Sequence, residues 1–324
     1  MPFAVRRKFD WRLRTRSLAL GTRTLIMGIL NATPDSFSDG GQYLDPCAAL
    51  THALQMLDEG ADILDIGGES TRPNSTPITP AEEQSRVLPI LRAILAARPK
   101  AVVSIDTYHS ETARLAIDFG AEIVNDVSGF LWDDAMAATC AELKCGVILM
   151  HTRGRPQQWR TLPALAPAEV TPLILRELND RALAALAAGI ARETIVLDPG
   201  FGFGKILDEN FPLLAHFDRL HALGFPLLAG LSRKGFLRRT LIPADQPQSQ
   251  PASTQHTQLL DTPHSFHAQD SVHETDSLHA VQNAITAANT AVILSGAHIL
   301  RIHDVRPARE AAAIADQILA AGGD

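Results

Sequence analysis

Met27-Gly-Ile-Leu-Asn31-Ala-Thr33-Pro34-Asp35 is a short apolar run that breaks abruptly into an amide, a hydroxyl and a carboxylate. The same construction recurs along the chain. Ile63–Ile66 runs into Gly67-Gly-Glu-Ser-Thr71-Arg72-Pro73, Val102–Ile105 ends at Asp106, Ile123–Val124 at Asn125-Asp126, and Val147–Met150 at His151. Ile195–Leu197 ends at Asp198-Pro-Gly200, Leu227–Leu231 at Ser232-Arg233-Lys234, and Ile299–Leu300 at Arg301-Ile-His303-Asp304. Continuous apolar runs of this length are what parallel strands buried on both faces look like. Eight of them, each ending in polar residues, predict an α/β (β/α)8 TIM barrel whose active site lies at the C-terminal ends of the strands.

The segments between the runs carry helical spacing. Cys47–Glu59 places Leu50, Ala53, Leu54 and Leu57 on one face. Pro80–Ala97 opens with Thr79 as N-cap, Pro80 at the first helical position and Glu82-Glu83 in the first turn, an ordinary start signature. Further helices are expected at 109–119, 133–143, 167–188, 210–223, roughly 277–294, and 307–319. Strand and helix alternating in this way supply the crossovers that parallel strands need. Ahead of the first run, Phe9–Leu13 and Ser17–Leu20 have the pattern of a hairpin around a turn.

With 324 residues, the chain fits one barrel domain over 1–324, with room for an insertion. That insertion is expected at 243–276, in the seventh βα unit, where Gln, Ser, Thr, Pro and His dominate. No Lys or Arg occurs from Thr240 to Leu300, and low hydrophobicity with biased polarity predicts disorder in 243–276. Its histidines are irregularly spaced and have no cysteine beside them, unlike a zinc site.

A hydrophobic content of 46% and a net charge of −7 describe a globular protein with a sizeable core and no broad basic face for nucleic acid. No apolar run approaches the roughly 18 residues of a membrane helix. The basic start (Arg6, Arg7, Lys8) is not followed by the apolar stretch of a signal peptide. Cys47, Cys140 and Cys145 form no metal-binding spacing and read as reduced thiols, so a cytoplasmic protein is expected.

The chemistry sits at the strand ends. Asp106, Asn125 and Asp198 would converge on one pocket as a wall of acceptors, suited to a flat heterocycle that presents several N–H groups. Either acid alone reads equally well as a helix cap or a loop ion pair; both, with Asn125 and Lys234, read as a site. Strands seven and eight bring cations: Ser232-Arg233-Lys234, then Arg301 and His303 at a spacing of two, on one side of their strand. Barrels often hold phosphate in this region, and the start of the helix after Ser232 would add free N–H groups. The amide oxygen of Asn31 is a candidate Mg2+ ligand, since that ion keeps its waters and shares phosphate oxygens. The loops from Thr33 and from Gly67 are lid candidates. Gly200-Phe-Gly-Phe-Gly-Lys205 resembles a phosphate loop only superficially and reads as a tight turn that brings Phe203 to a ligand.

Taken in order, Gly28–Gly41, Gly67–Pro73, Ser104–Thr107, Asn125–Gly129, Leu149–His151, Leu197–Lys205, Ser232–Lys234 and Arg301–Asp304 resemble dihydropteroate synthases, from about Thr24 to Leu319. The resemblance implies a pterin-binding barrel that joins 7,8-dihydropterin-6-ylmethyl pyrophosphate to 4-aminobenzoate, with Mg2+, in folate biosynthesis. It implies that Asp106, Asn125, Asp198 and Lys234 hold the pterin, and that Asn31, Arg301 and His303 hold Mg2+–pyrophosphate. Thr71, Arg72, Pro73, Phe203, Ser232 and Lys234 would surround the aminobenzoate, under the loop carrying Thr33, Pro34 and Asp35. Catalysis would rest on Asp106, Asp198, Lys234, Arg301 and His303. It further implies a homodimer, although the insertion falls near the surface family members use to dimerise. Two alternatives stand beside this: a pterin-barrel methyltransferase, which would need neither Lys234 nor the Arg301–His303 pair, and a non-catalytic pterin-binding paralogue.

Overall fold

A computed structural model describes residues 6–33, 46–70, 76–241 and 268–322, with backbone alone for 268–278. Eight strands run parallel: β3 (Leu25–Asn31), β4 (Ile63–Gly67), β5 (Val103–Asp106), β6 (Ile123–Asp126), β7 (Gly146–Met150), β8 (Ile195–Asp198), β9 (Leu228–Ala229) and β10 (Ile299–Ile302). Their order is β8-β7-β6-β5-β4-β3-β10-β9, and a single parallel bridge, Leu197 to Leu227, joins the two ends into a barrel. The expected (β/α)8 architecture is therefore the one observed.

Helices α1 (Pro46–Asp58), α2 (Pro80–Ala97), α3 (Ser110–Asp118), α4 (Met136–Leu143), α5 (Pro167–Ala187), α6 (Asn210–Ala215), α7 (Gly235–Thr240), α8 (Ala268–Leu294) and α9 (Val305–Ala321) cover the outside. The start read for α2 is the one built: Thr79 is extended, and its side chain accepts from the Glu82 N–H at 3.2 Å.

Two expectations need correction. Helix 210–223 stops at Ala215 and continues as a 3-10 turn from Phe217 to Leu223, which tightens where Phe217 and Leu220 reach the core. The helix expected from about 277 begins at Ala268, so residues 268–276, assigned to a disordered insertion, are helical. A polar, charged first half hides a helix whose anchoring residues, Ile285, Ala288, Val292 and Ile293, come later. Residues 243–267 lie outside the described residues.

The floor of the barrel is closed by the hairpin that the sequence suggested. Strands β1 (Phe9–Arg12) and β2 (Ser17–Leu20) pair antiparallel. Trp11, Leu13 and Leu20 pack in one cluster with Leu25, Met27, Ile63, Val102, Ile123, Ile148, Val196, Leu228 and Ile299, which come from seven strands and, for Val102, from the residue just before β5. The Trp11 indole N–H donates to the Thr194 carbonyl at 2.8 Å, so its one polar atom is satisfied in the core.

Candidate active site

Side chains two apart on a strand share a face. One pleat above the apolar floor, Ile63 gives way to Asp65, Val102 to Ser104, Ile123 to Asn125, Val196 to Asp198 and Ile299 to Arg301. The barrel interior thus changes from an oily plug to a polar layer within about 7 Å, two strand residues. Asp65, Ser104, Asn125 and Asp198 are all buried there.

Arg301 crosses this layer. Its Nε donates to Asp65 Oδ2 at 2.6 Å and its Nη2 to Asp106 Oδ2 at 2.5 Å. Asn125 Nδ2 donates to the same Asp65 Oδ2 at 2.9 Å. Burial pushes the Asp106 carboxyl up to about 7 against the opposing pull of Arg301. Burial works against the Arg301 charge too, but Asp65 and Asp106 outweigh it and hold its pKa above the ordinary arginine value. Asp198 is raised by burial, opposed by the Gly200 N–H, which donates to its Oδ1 at 2.7 Å. Gly230 lies opposite: a Cβ there would stand 3.9 Å from both Asp198 Oδ2 and the Arg301 Cβ, so its lack of a side chain leaves room over the polar layer.

Above the layer, Lys234 places its Nζ 4.0 Å from the centre of the Phe203 ring. Burial, with Arg301 nearby, lowers its pKa to about 8 despite the attraction of Asp198 and Asp106. Phe203 itself meets Trp159 edge-on at 5.4 Å. His303 faces Ser232: its backbone N–H donates to Ser232 Oγ at 3.1 Å, and Nδ1 lies 2.9 Å from the same oxygen. The Ser232 hydroxyl therefore fixes the ring of His303 from the Nδ1 side.

The structure brings together most of the residues expected from sequence. Asp106, Asn125, Asp198, Phe203, Ser232, Lys234, Arg301 and His303 stand at or just past the ends of β5, β6, β8, β9 and β10. Asn31 closes β3, half-buried, and Thr33 follows it. Pro34, Asp35, Thr71, Arg72 and Pro73 lie outside the described residues. The sequence also suggested that Arg301 and His303 act as one anion pair. Arg301 Nε and Nη2 are engaged by Asp65 and Asp106, while Asp304, the nearest acid in sequence, pairs with Arg233 at 3.3 Å.

Two participants were missed. Asp65 sits inside an apolar run, and that placement was the available signal, because an acid on a buried strand requires a partner. Lys205 is 4% exposed and donates to the carbonyls of Gly200 (2.7 Å), Phe203 (3.1 Å) and His151 (3.3 Å). It ties the glycine-rich turn to the end of β7, and burial lowers its pKa to about 7. That turn needs glycine at 200, where φ is +66° and a Cβ would lie 2.0 Å from the His151 oxygen.

Residues 27–303 match the family described as pterin binding enzyme. A dihydropteroate synthase of Streptococcus pyogenes serotype M3 is 46% identical over 209 residues, 64% of this chain and 75% of the relative. The dihydropteroate synthase of Xanthomonas albilineans, solved with 4-aminobenzoic acid, superposes with a TM-score of 0.76 at 34% identity, over 96% of this chain and 99% of that one. The Coxiella burnetii enzyme, solved in complex with pteroic acid, gives a TM-score of 0.75 at 31% identity, over 97% and 99%. With a barrel, a polar layer and relatives that agree along nearly its whole length, the chain belongs to the dihydropteroate synthase family of pterin-binding enzymes.

Proposed function

We propose that this chain condenses 7,8-dihydropterin-6-ylmethyl pyrophosphate with 4-aminobenzoate, giving 7,8-dihydropteroate and pyrophosphate. The observation that carries this is the layer of acceptors, Asp106, Asn125 and Asp198, facing the cations Lys234 and Arg301 across one barrel mouth. Acceptors fit the N–H edge of a pterin, and cations fit a pyrophosphate. The relatives solved with 4-aminobenzoic acid and with pteroic acid support both the second substrate and the joined product.

In the reaction the bond from the exocyclic methylene to the pyrophosphate oxygen breaks, and the aniline nitrogen bonds to that carbon and loses a proton. Positive charge spreads into the dihydropterin ring as the leaving group departs. Asp106 and Asp198 stabilise that charge, in a site where water is scarce and charges act strongly. His303, its ring held by Ser232, is placed to donate a ring N–H to the departing pyrophosphate. Arg301 borders both parts of the substrate, because its guanidinium is shared with Asp106. Phe203 and Lys234 flank the aminobenzoate, whose amine needs positioning more than a base.

The donor set suits a Mg2+ that arrives with the pyrophosphate. Among the described residues no three His, Cys, Asp or Glu gather to hold a metal, and Asn31 offers one amide oxygen at the end of β3. An ion that prefers phosphate oxygens and water needs little more from the protein. Such an ion would neutralise charge on the leaving group. A methyltransferase would have no use for the cations at Lys234 and Arg301. We place the chain in the cytoplasm, as a homodimer. Among the described residues Cys140 and Cys145 form no disulfide, and no described helix is long and apolar enough to cross a membrane.

The test is direct. Purified protein given both substrates and Mg2+ should form dihydropteroate and release one pyrophosphate for each. Folded protein that binds the pterin yet forms no product would leave the non-catalytic paralogue as the answer.

A further inference from the structure

Asp65 was given no part in the reaction above. It is fully buried on β4, one pleat above Ile63. Yet one of its oxygens, Oδ2, accepts from two residues of the site: Arg301 Nε at 2.6 Å and Asn125 Nδ2 at 2.9 Å. Its other oxygen, Oδ1, makes no hydrogen bond among the described residues. Burying a carboxylate costs several kcal/mol unless its partners repay it. An acid held this way orders its neighbours more than it strengthens the barrel.

The chemistry of an amide makes the consequence specific. Asn carries an acceptor and a donor that are nearly the same shape, so an unrestrained Asn125 would offer a ligand either one. A carboxylate paired with a guanidinium is acceptor-only, so the group Asn125 turns toward Asp65 must be its NH2. Its Oδ1 is then the group left for the ligand, and no hydrogen bond among the described residues uses it. The same Oδ2 draws the Arg301 guanidinium to the barrel axis, beside Asp106.

We infer that Asp65 is a positioning residue that sets the substrate preference of the site: by fixing the Asn125 amide, it keeps an acceptor there beside those of Asp106 and Asp198. The inference rests on the pterin reading above and adds the residue that enforces it. With Asp65 in place, Asp106, Asn125 and Asp198 present acceptors alone. A ring carrying a carbonyl where a pterin carries its amino group then meets acceptor against acceptor.

The experiment compares two ligands by calorimetry: 6-hydroxymethyl-7,8-dihydropterin and the matching 2,4-dione, in which the 2-amino donor is replaced by an oxygen acceptor. The natural protein should prefer the pterin. In Asp65→Asn the new amide can donate as well as accept, so Asn125 is free to turn. The preference should then shrink about tenfold, the worth of one ordinary hydrogen bond. A folded Asp65→Asn that weakens both ligands equally, with the ratio unchanged, would overturn the inference, because a purely structural acid would act in that way. Hydrogen exchange of the Asn125 side-chain amide in the ligand-free natural protein gives an answer that does not depend on the variant folding. Protected protons support the fixed orientation, and exchange at the solvent rate overturns it. Natural protein that bound neither ring would instead bring down the pterin reading and this inference with it.

Discussion

Asp198 and Asp106 show how much a single proton matters in a barrel interior. Asp198→Asn would turn an NH2 toward an N–H edge in place of a carboxylate oxygen. We expect pterin affinity to fall by about 2–4 kcal/mol, the scale of a lost buried charged hydrogen bond, with the melting temperature little changed. Unchanged affinity by calorimetry would remove Asp198 from the site. Protonation sets a second limit. Asp106, held up at about 7, accepts from the pterin only when ionised, and Lys234, lowered to about 8, is a cation only below that pH. Hence kcat/KM for the pterin substrate should rise through about pH 7 and fall above about pH 8. Lys234→Arg should move the alkaline limb upward, since an arginine does not deprotonate in that range. At this scale the sequence was informative wherever a residue ended a strand, as at Asp106, Asn125, Asp198 and Arg301. It was silent on who pairs with whom. Arg301 reaches acids 195 and 236 positions away, contacts that exist only once the barrel is closed.

Among the elements, the strands were legible because a buried parallel strand needs an unbroken apolar run. The helix ends were legible only where a cap marks them. Thr79, whose side chain accepts from the helix, marks the start of α2, and Thr79→Ala should cost about 1 kcal/mol in chemical denaturation. The start of α8 carries no such mark in its polar first half, and the break after α6 is a local tightening around Phe217. The turn from Gly200 to Lys205 reads as punctuation in sequence, whereas in the fold it is a tethered platform. Its tether is testable. Lys205→Met keeps the bulk but removes the donor that the Gly200, Phe203 and His151 carbonyls share, so Phe203 loses its fixed seat beside Lys234. The KM for 4-aminobenzoate should rise several-fold, with pterin affinity largely kept. An equal loss for both substrates would mean that Lys205 supports the barrel rather than the turn.

For the whole molecule, the fold class followed from repetition: eight similar units have few ways to bury eight apolar runs other than a closed barrel. The closure itself was not legible. β9 is two residues long, and the barrel is sealed by one bridge, because Leu227–Leu231 pairs only through Ala229 before the chain turns to deliver Ser232 and Lys234. The hairpin carries more of the floor than its size suggests. Trp11→Ala would leave a cavity under all eight strands and should cost about 3–5 kcal/mol, read as a lowered denaturant midpoint. A midpoint shift under 1 kcal/mol would mean that the barrel holds without its plug. The hairpin also has a history in time. The Trp11 indole seats on Thr194, His298 holds the Arg7 carbonyl at 3.0 Å, and Arg6 pairs with Asp316, 310 positions further on. A ribosome adding roughly 5–20 residues each second finishes those partners about 15–60 s after the hairpin has emerged. The hairpin, made well before its partners, is thus among the last parts to be seated. A nascent chain stalled before residue 298 should expose Phe9–Leu20 to protease, and the released chain should hide it.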